Sequence, residues 1–232
     1  MPRSTPADRA LKVIEVAAEV FVELGFRRTQ MDDVADRMGV SKGTLYRSVE
    51  SKEALLAAVL TYGDQPSEIN AGGVVAVPPL SEVAERLTEA LARSIAALEL
   101  ARVAAGTIAT ARSCEAAARQ VERMALELFE TMSRHRVLIM VLDRCAAEVP
   151  ELAGWFGDGR YAVADLWEAH LGHIAGHLGG EVDRSVLART IVELITLWAV
   201  KMPWDPSPRA YPADVGTMCA RMVVDLVAGG RT

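Results

Sequence analysis

The sequence predicts an all-α protein, and three observations carry that prediction. Hydrophobic residues make up 51% of its 232 positions, enough to bury a substantial core. Ala and Leu abound, while runs of β-branched and aromatic residues are scarce. Apolar residues recur at three-to-four spacing in one segment after another, the period of a helix with one buried face.

The elements follow in order. Thr5, Pro6 and Asp8 read as an N-cap, a proline in the first turn and a carboxylate behind it, a combination that launches a helix. Ala10, Ile14, Ala17, Phe21 and Leu24 give that helix its buried face, and Gly25 stops it, so it spans about 6–24. A second start lies at Thr29 or Gln30. Asp32 and Asp33 stand in its first turn, Met31, Val34, Ala35 and Met38 form its stripe, and Gly39 ends it. Ser41 is a fresh N-cap for a third short helix, on which Leu45 and Val49 share a face. Two short helices joined by a tight, glycine-containing turn are the signature of a helix-turn-helix, whose second helix enters the major groove of DNA. Ser51 caps a fourth helix bearing Leu55, Leu56, Val59 and Leu60, which ends near Gly63.

Residues 64–80 are rich in Gly and Pro, lack helical periodicity and are long for an internal loop, so they are expected to connect two domains, 1–63 and 81–228. Beyond them Val83, Leu87, Leu91, Ile95 and Leu98 form one core-facing stripe, and Val121, Met124, Leu128 and Met132 another. The apolar run Val137–Leu142 suits a buried strand or helix; its neighbours continue helically, which favours the helix. A long helix is expected over Tyr161–Leu178, and Asp183 caps the next, where Leu187, Ile191, Leu194, Ile195 and Trp198 line one side while Val192 and Leu197 occupy another. A helix so apolar all round must be buried twice. Prolines from Pro203 to Pro212 end it, and a last helix with Val215, Met218, Met222, Val223 and Leu226 stops at Gly229.

The net charge of −6 counts against a nucleic-acid partner only until its distribution is considered. Residues 1–63 carry nine basic and nine acidic side chains, so the acidity belongs to the remainder. Arg27, Arg28, Lys42, Arg47 and Lys52 concentrate basic character around the helix-turn-helix. Cys114, Cys145 and Cys219 are scattered and odd in number, which excludes a disulfide framework and a zinc ribbon and suits a reducing cytoplasm. The longest uncharged stretch, Ile69–Ser81, is too short for a bilayer and broken by Gly and Pro, and the first residues do not read as a secretory signal.

From Met31 to Leu60 the chain reads MDDVADRMGVSKGTLYRSVESKEALLAAVL. With Phe21 and Gly25 before it, this segment closely resembles the DNA-binding region of TetR-family regulators. The resemblance covers about a quarter of the chain and implies roles for individual residues. Lys42, Gly43 and Thr44 match positions that touch bases. The chemistry agrees: Lys42 can donate to guanine, Gly43 permits close backbone approach, and Thr44 offers a hydroxyl and a methyl. Tyr46 and Lys52 match phosphate-binding positions, and Ser41, Arg47 and Ser48 are expected to share that role, which positions the protein without reading sequence. Ser48 and Val49 replace the family's frequent His and Phe, and Gln30 stands where Ser or Thr is common.

The resemblance further implies a C-terminal helical domain for ligand binding and dimerisation, so that a homodimer presents two reading helices to a pseudo-palindromic operator. Expected interface residues are Leu171, Ile174, Leu178, Leu187, Ile191, Leu194 and Trp198. Trp155, Phe156, Trp167 and His170 are the expected pocket wall, with Arg102 placed to meet an anion. His170, His173 and His177 share nearly one helical face, but no carboxylate stands at ligand spacing, so no metal is assigned. No cofactor is expected. Two rival readings stay open, a DNA-binding structural protein without effector and a helical enzyme acting on an apolar substrate. The second finds no phosphate-binding loop, nucleophile elbow or zinc-protease helix.

Overall fold

The computed structural model describes residues 6–65, 77–174, 183–206 and 212–229, with the side chains at 6, 7 and 154–160 outside that description. The side chains of Trp155 and Phe156, and all of His177 and Leu178, therefore lie outside the described residues. Within it every regular element is helical, and no helix among the described residues is long and apolar enough to cross a membrane. Two compact units form, Met1–Glu89 with Val137–Gly157, and Ala90–Arg136 with Asp158–Thr232.

The first unit is built on α1 (Pro6–Leu24), α2 (Met31–Met38), α3 (Lys42–Leu45) and α4 (Lys52–Tyr62). Ala10, Ile14, Ala17 and Phe21 of α1 are buried as their spacing requires. Gly25 stops α1 at φ 78°, a left-handed conformation that glycine adopts without penalty. The Gln30 N–H donates to Asp33 Oδ2 at 2.7 Å, so the first carboxylate turn of α2 satisfies the backbone of its own N-cap. Helix α4 is buried continuously from Leu55 to Leu60. A single apolar stripe cannot produce that; it requires packing on more than one side.

The extra cover comes from a distant part of the chain. α8 (Arg136–Cys145) and the 3-10 turns after it return to the first unit, which thus extends beyond the 1–63 segment marked out by periodicity. The Asp64 carboxylate accepts the Val137 and Leu138 N–H groups at 2.9 and 3.1 Å, capping α8 at its start. At its other end the Cys145 thiol lies 3.8 Å from the Phe21 carbonyl, and Glu148 Oε2 accepts the Arg27 N–H at 2.7 Å. A Cβ on Gly25 would stand 3.0 Å from Glu148 Oε1, so this position needs glycine for space as well as for φ.

The second unit holds the end of α5 (Leu80–Ala97), then α6 (Glu99–Ala104), α7 (Cys114–Arg134), most of α9 (Ala153–His173), α10 (Arg184–Thr196) and α11 (Val215–Ala228). α7 packs along α11; at Gly216 a Cβ would meet the Phe129 ring at 2.8 Å, so glycine permits the close approach. Val121, Met124 and Leu128 of α7, Ile191 and Ile195 of α10, and Cys219 and Val223 of α11 are buried. Buried Gln120 ties down the loop before α7, donating to the Ala109 carbonyl at 3.2 Å and accepting the Ala111 N–H at 3.0 Å.

Three differences from the periodicity reading stand out. The long helix begins at Ala153, not Tyr161, because its glycines are accommodated within helical backbone. Leu87, Leu91 and Ile95 of α5 are only half-buried, although Val83 and Leu98 are buried. α10 does not end cleanly but widens into a π-helical turn, Leu197–Lys201, before Pro203.

Candidate nucleic-acid interface

The Gly39 turn sets the direction of α3. With φ 69° it reverses the chain after α2, and the Gly39 and Val40 N–H groups bond back to the Asp36 and Ala35 carbonyls, each at 3.0 Å. Ser41 then caps α3, its hydroxyl accepting the Thr44 N–H at 3.3 Å. Leu45 and Val49 are buried and anchor α3 against the bundle. As a result Ser41, Lys42, Gly43, Tyr46 and Arg47 are exposed and Thr44 half-exposed. Nothing lies within 4 Å of a Cβ built on Gly43, so its backbone is open to an approaching surface.

The exposed side chains are organised among themselves. The Ser41 and Thr44 hydroxyls are 2.9 Å apart, and Arg47 donates to Thr44 Oγ1 at 3.1 Å. Lys42 Nζ is 3.0 Å from Asp32 Oδ2, and that hydrogen bond holds its ammonium above the usual lysine range. Any base contact by Lys42 must therefore compete with Asp32, a residue that sequence reading assigned only to helix initiation.

Two residues expected at phosphates are less open than the others. Ser48 is 5% exposed, because the chain turns inward after α3 and buries it beside Val49. Lys52 is half-buried, and its ammonium faces the turn between α1 and α2. It donates to the Phe26 and Thr29 carbonyls at 2.9 and 3.0 Å, with Arg27 O at 3.5 Å, and sits 4.5 Å from the centre of the Phe26 ring. The ammonium is thus engaged by carbonyls of its own chain. The missed signal is the end of α1, whose carbonyls need a partner wherever a helix stops in a packed turn.

In the second unit, Trp167 and His170 are fully buried, whereas Arg102 is exposed and faces solvent rather than a pocket. A shallow apolar cleft is instead lined by Ala117, Val121, Ile174, Val224 and Val227, with Cys114 among its walls. Leu171, Ile174, Leu187 and Ile191 are buried within the single chain and belong to its core; Leu194 and Trp198 are half-buried. Exposed apolar side chains among the described residues of this unit include Val186, Leu197, Met218, Met222 and Leu226. His173 is exposed and His170 buried, and no group of three metal-ligating side chains occurs among the described residues. Burial pushes the Cys145 thiol up to about 12 and the Cys219 thiol up to about 11, which keeps both protonated and inert at neutral pH.

Residues 13–59 match the model of bacterial regulatory proteins of the tetR family. Over 53 residues, 23% of this chain and 24% of its relative, the sequence is 45% identical to the HTH-type transcriptional activator FasR of Mycolicibacterium smegmatis. Over 57 residues, 25% of this chain and 28% of its relative, it is 37% identical to the HTH-type transcriptional repressor KstR2 of the same organism. The match thus spans about a quarter of the length of these relatives. Two solved structures share the fold along the chain. The ketosteroid transcriptional regulator KstR2 of Mycobacterium tuberculosis has a TM-score of 0.54 at 16% identity, covering 98% of each chain. The probable transcriptional regulatory protein RHA5900 has a TM-score of 0.55 at 15% identity, covering 96% of this chain and 98% of that one.

Proposed function

We propose that this chain, whose N-terminal domain belongs to the tetR family of bacterial regulatory proteins, is a cytoplasmic DNA-binding transcriptional regulator that occupies an operator as a homodimer and leaves it when a small molecule binds. One observation carries the reading: α3 is anchored by Leu45 and Val49 while Ser41, Lys42, Gly43, Thr44, Tyr46 and Arg47 stay accessible around an unobstructed glycine. Lys42 and Thr44 read base edges with the Gly43 backbone close to the groove; Ser41, Tyr46 and Arg47 hold phosphates. Lys52 works at one remove, by fixing the turn that leads into α2. The second copy docks on the exposed apolar side chains of α10 and α11, because Met218, Met222 and Leu226 form an i, i+4, i+8 stripe that the single chain leaves in water. The protein acts by binding and not by catalysis.

Release follows from differential affinity. A ligand that favours one separation of the two reading heads over another lowers operator affinity by the ratio of its affinities for the two states. The test is selection of bound fragments from genomic DNA, followed by fluorescence anisotropy. Lys42→Ala and Thr44→Ala should each weaken the selected site by about 1–3 kcal/mol for a lost bidentate contact and less for a single one. Binding that is unaltered in both variants, or a strictly monomeric chain at micromolar concentration in sedimentation, defeats the proposal.

A further inference from the structure

Helix α9 carries two buried polar rings one turn apart whose hydrogen-bonding atoms find no partner. Trp167 is 0% and His170 1% exposed, and neither the indole Nε1 nor either imidazole nitrogen is engaged. The rings meet edge to face with centroids 6.2 Å apart. Val163, Ala164, Leu171 and Ile174 on the same helix are buried and apolar. Buried Thr29 donates to the Gly25 carbonyl at 2.6 Å and Gln120 is bonded through both ends of its amide; the other unpartnered buried side-chain atom among the described residues, Arg189 Nη1, belongs to a guanidinium that pairs with Glu193. On α9 three orphaned ring atoms lie within one helical turn, and each such atom costs about 1–3 kcal/mol unless something answers it.

Their chemistry states what would answer them. A neutral imidazole has one donor and one acceptor nitrogen, and an indole has one donor, so the set offers two donors and one acceptor. A ketone or ether oxygen can accept from the donors but leaves the acceptor nitrogen bare. A carboxylate also only accepts, and it would enter an apolar site whose facing charged groups are His173 and Glu99, the latter already paired with Arg123 at 2.8 Å. A hydroxyl accepts from the indole N–H and donates to an unprotonated imidazole nitrogen facing it; the other imidazole nitrogen points to the opposite side of the ring and needs a separate partner. We propose that Trp167 and His170 form the polar end of a binding site for a neutral, hydroxyl-bearing apolar molecule. Burial holds the His170 imidazole well below the usual histidine range, at about 4, so it meets this ligand uncharged. The inference rests on the regulator reading only in making that molecule the effector; the binding itself does not depend on it.

The test uses the full-length chain with 15N-labelled tryptophan, the Trp167 indole resonance being assigned through Trp167→Phe. The probes are 1-decanol, its methyl ether, decanoate and decane. The expected result is a saturable shift of the Trp167 indole N–H with decanol, and about tenfold weaker binding of the ether and the alkane, the discrimination that a buried unmade hydrogen bond imposes. His170→Phe should erase the preference for alcohol over ether, and His170→Gln, which keeps a donor and an acceptor, should restore part of it, both in protein shown to be folded by circular dichroism. Equal affinities for alcohol and ether in the native chain, or an indole resonance that no probe moves because solvent completes the set, overturns the proposal. Operator affinity is measured separately: decanol that binds at Trp167 without changing operator binding upholds the site and removes the effector role.

Discussion

Replacing Lys52 by methionine separates two accounts of the residue that begins α4. Methionine keeps an unbranched apolar stem but removes the ammonium that donates to Phe26 O at 2.9 Å and Thr29 O at 3.0 Å and lies over the Phe26 ring. Two charge-assisted bonds at a half-buried site contribute about 1 kcal/mol each after solvent competition, and the ring contact adds about 0.5 kcal/mol. The two carbonyls regain part of their hydration in the variant, so the net loss is about 2 kcal/mol. With a urea dependence of about 2 kcal/mol/M, the unfolding midpoint of Lys52→Met falls by about 1 M. Operator binding weakens in parallel because the turn into α2 loosens, yet the dependence of log affinity on log salt keeps its slope, since no phosphate contact is lost. A phosphate-binding Lys52 gives the opposite pattern: an unchanged midpoint, and a salt slope shallower by about 0.9. That second pattern refutes the clamp.

Glu148→Ala removes the acceptor of the Arg27 N–H and should cost about 1–2 kcal/mol, seen as faster hydrogen exchange at the Arg27 amide while the α10 amides are unaffected. Asp32→Asn releases Lys42 from its exposed ion pair; operator affinity should rise by about twofold to fivefold at low salt, and the gain should shrink as salt is added. For His170 the sign follows from linkage. Its folded-state value of about 4 lies below the ordinary histidine value, so between these two values the unfolded chain binds a proton that the folded chain does not. Its contribution is therefore intact above about pH 6.5 and lost as pH falls towards 4, by up to about 3 kcal/mol. His170→Phe should flatten that part of the stability profile, as measured by urea unfolding at pH 7, 6 and 5.

The helix-turn-helix was legible residue by residue because its instructions are local. Ser41 and Ser51 are caps that bond to the amide three residues on, Gly39 supplies its left-handed turn, and Leu45 and Val49 are buried as their spacing implies. The site's finer chemistry was not local. Asp32 reaches Lys42 ten residues away, and the carbonyls that Lys52 serves lie at least 23 residues before it. In the second unit, core and interface could not be told apart for the same reason. Leu171, Ile174, Leu187 and Ile191 are apolar whether they face their own chain or a partner, and composition carries no sign of which.

By itself, then, the sequence determined where many of the helices start and stop, which face of each is apolar, and that Ser41 caps a short helix after a glycine turn, because caps, glycine turns and periodicity act over three or four residues. Only the tertiary structure decided that α8 returns to cover the first helices, with Asp64 capping its start and Glu148 holding the turn after α1 from its far end. It alone decided that Lys52 donates to the Phe26 and Thr29 carbonyls and that two polar rings of α9 are buried without partners. These outcomes depend on contacts across tens to more than a hundred residues, where many pairings satisfy the same local pattern and packing selects among them.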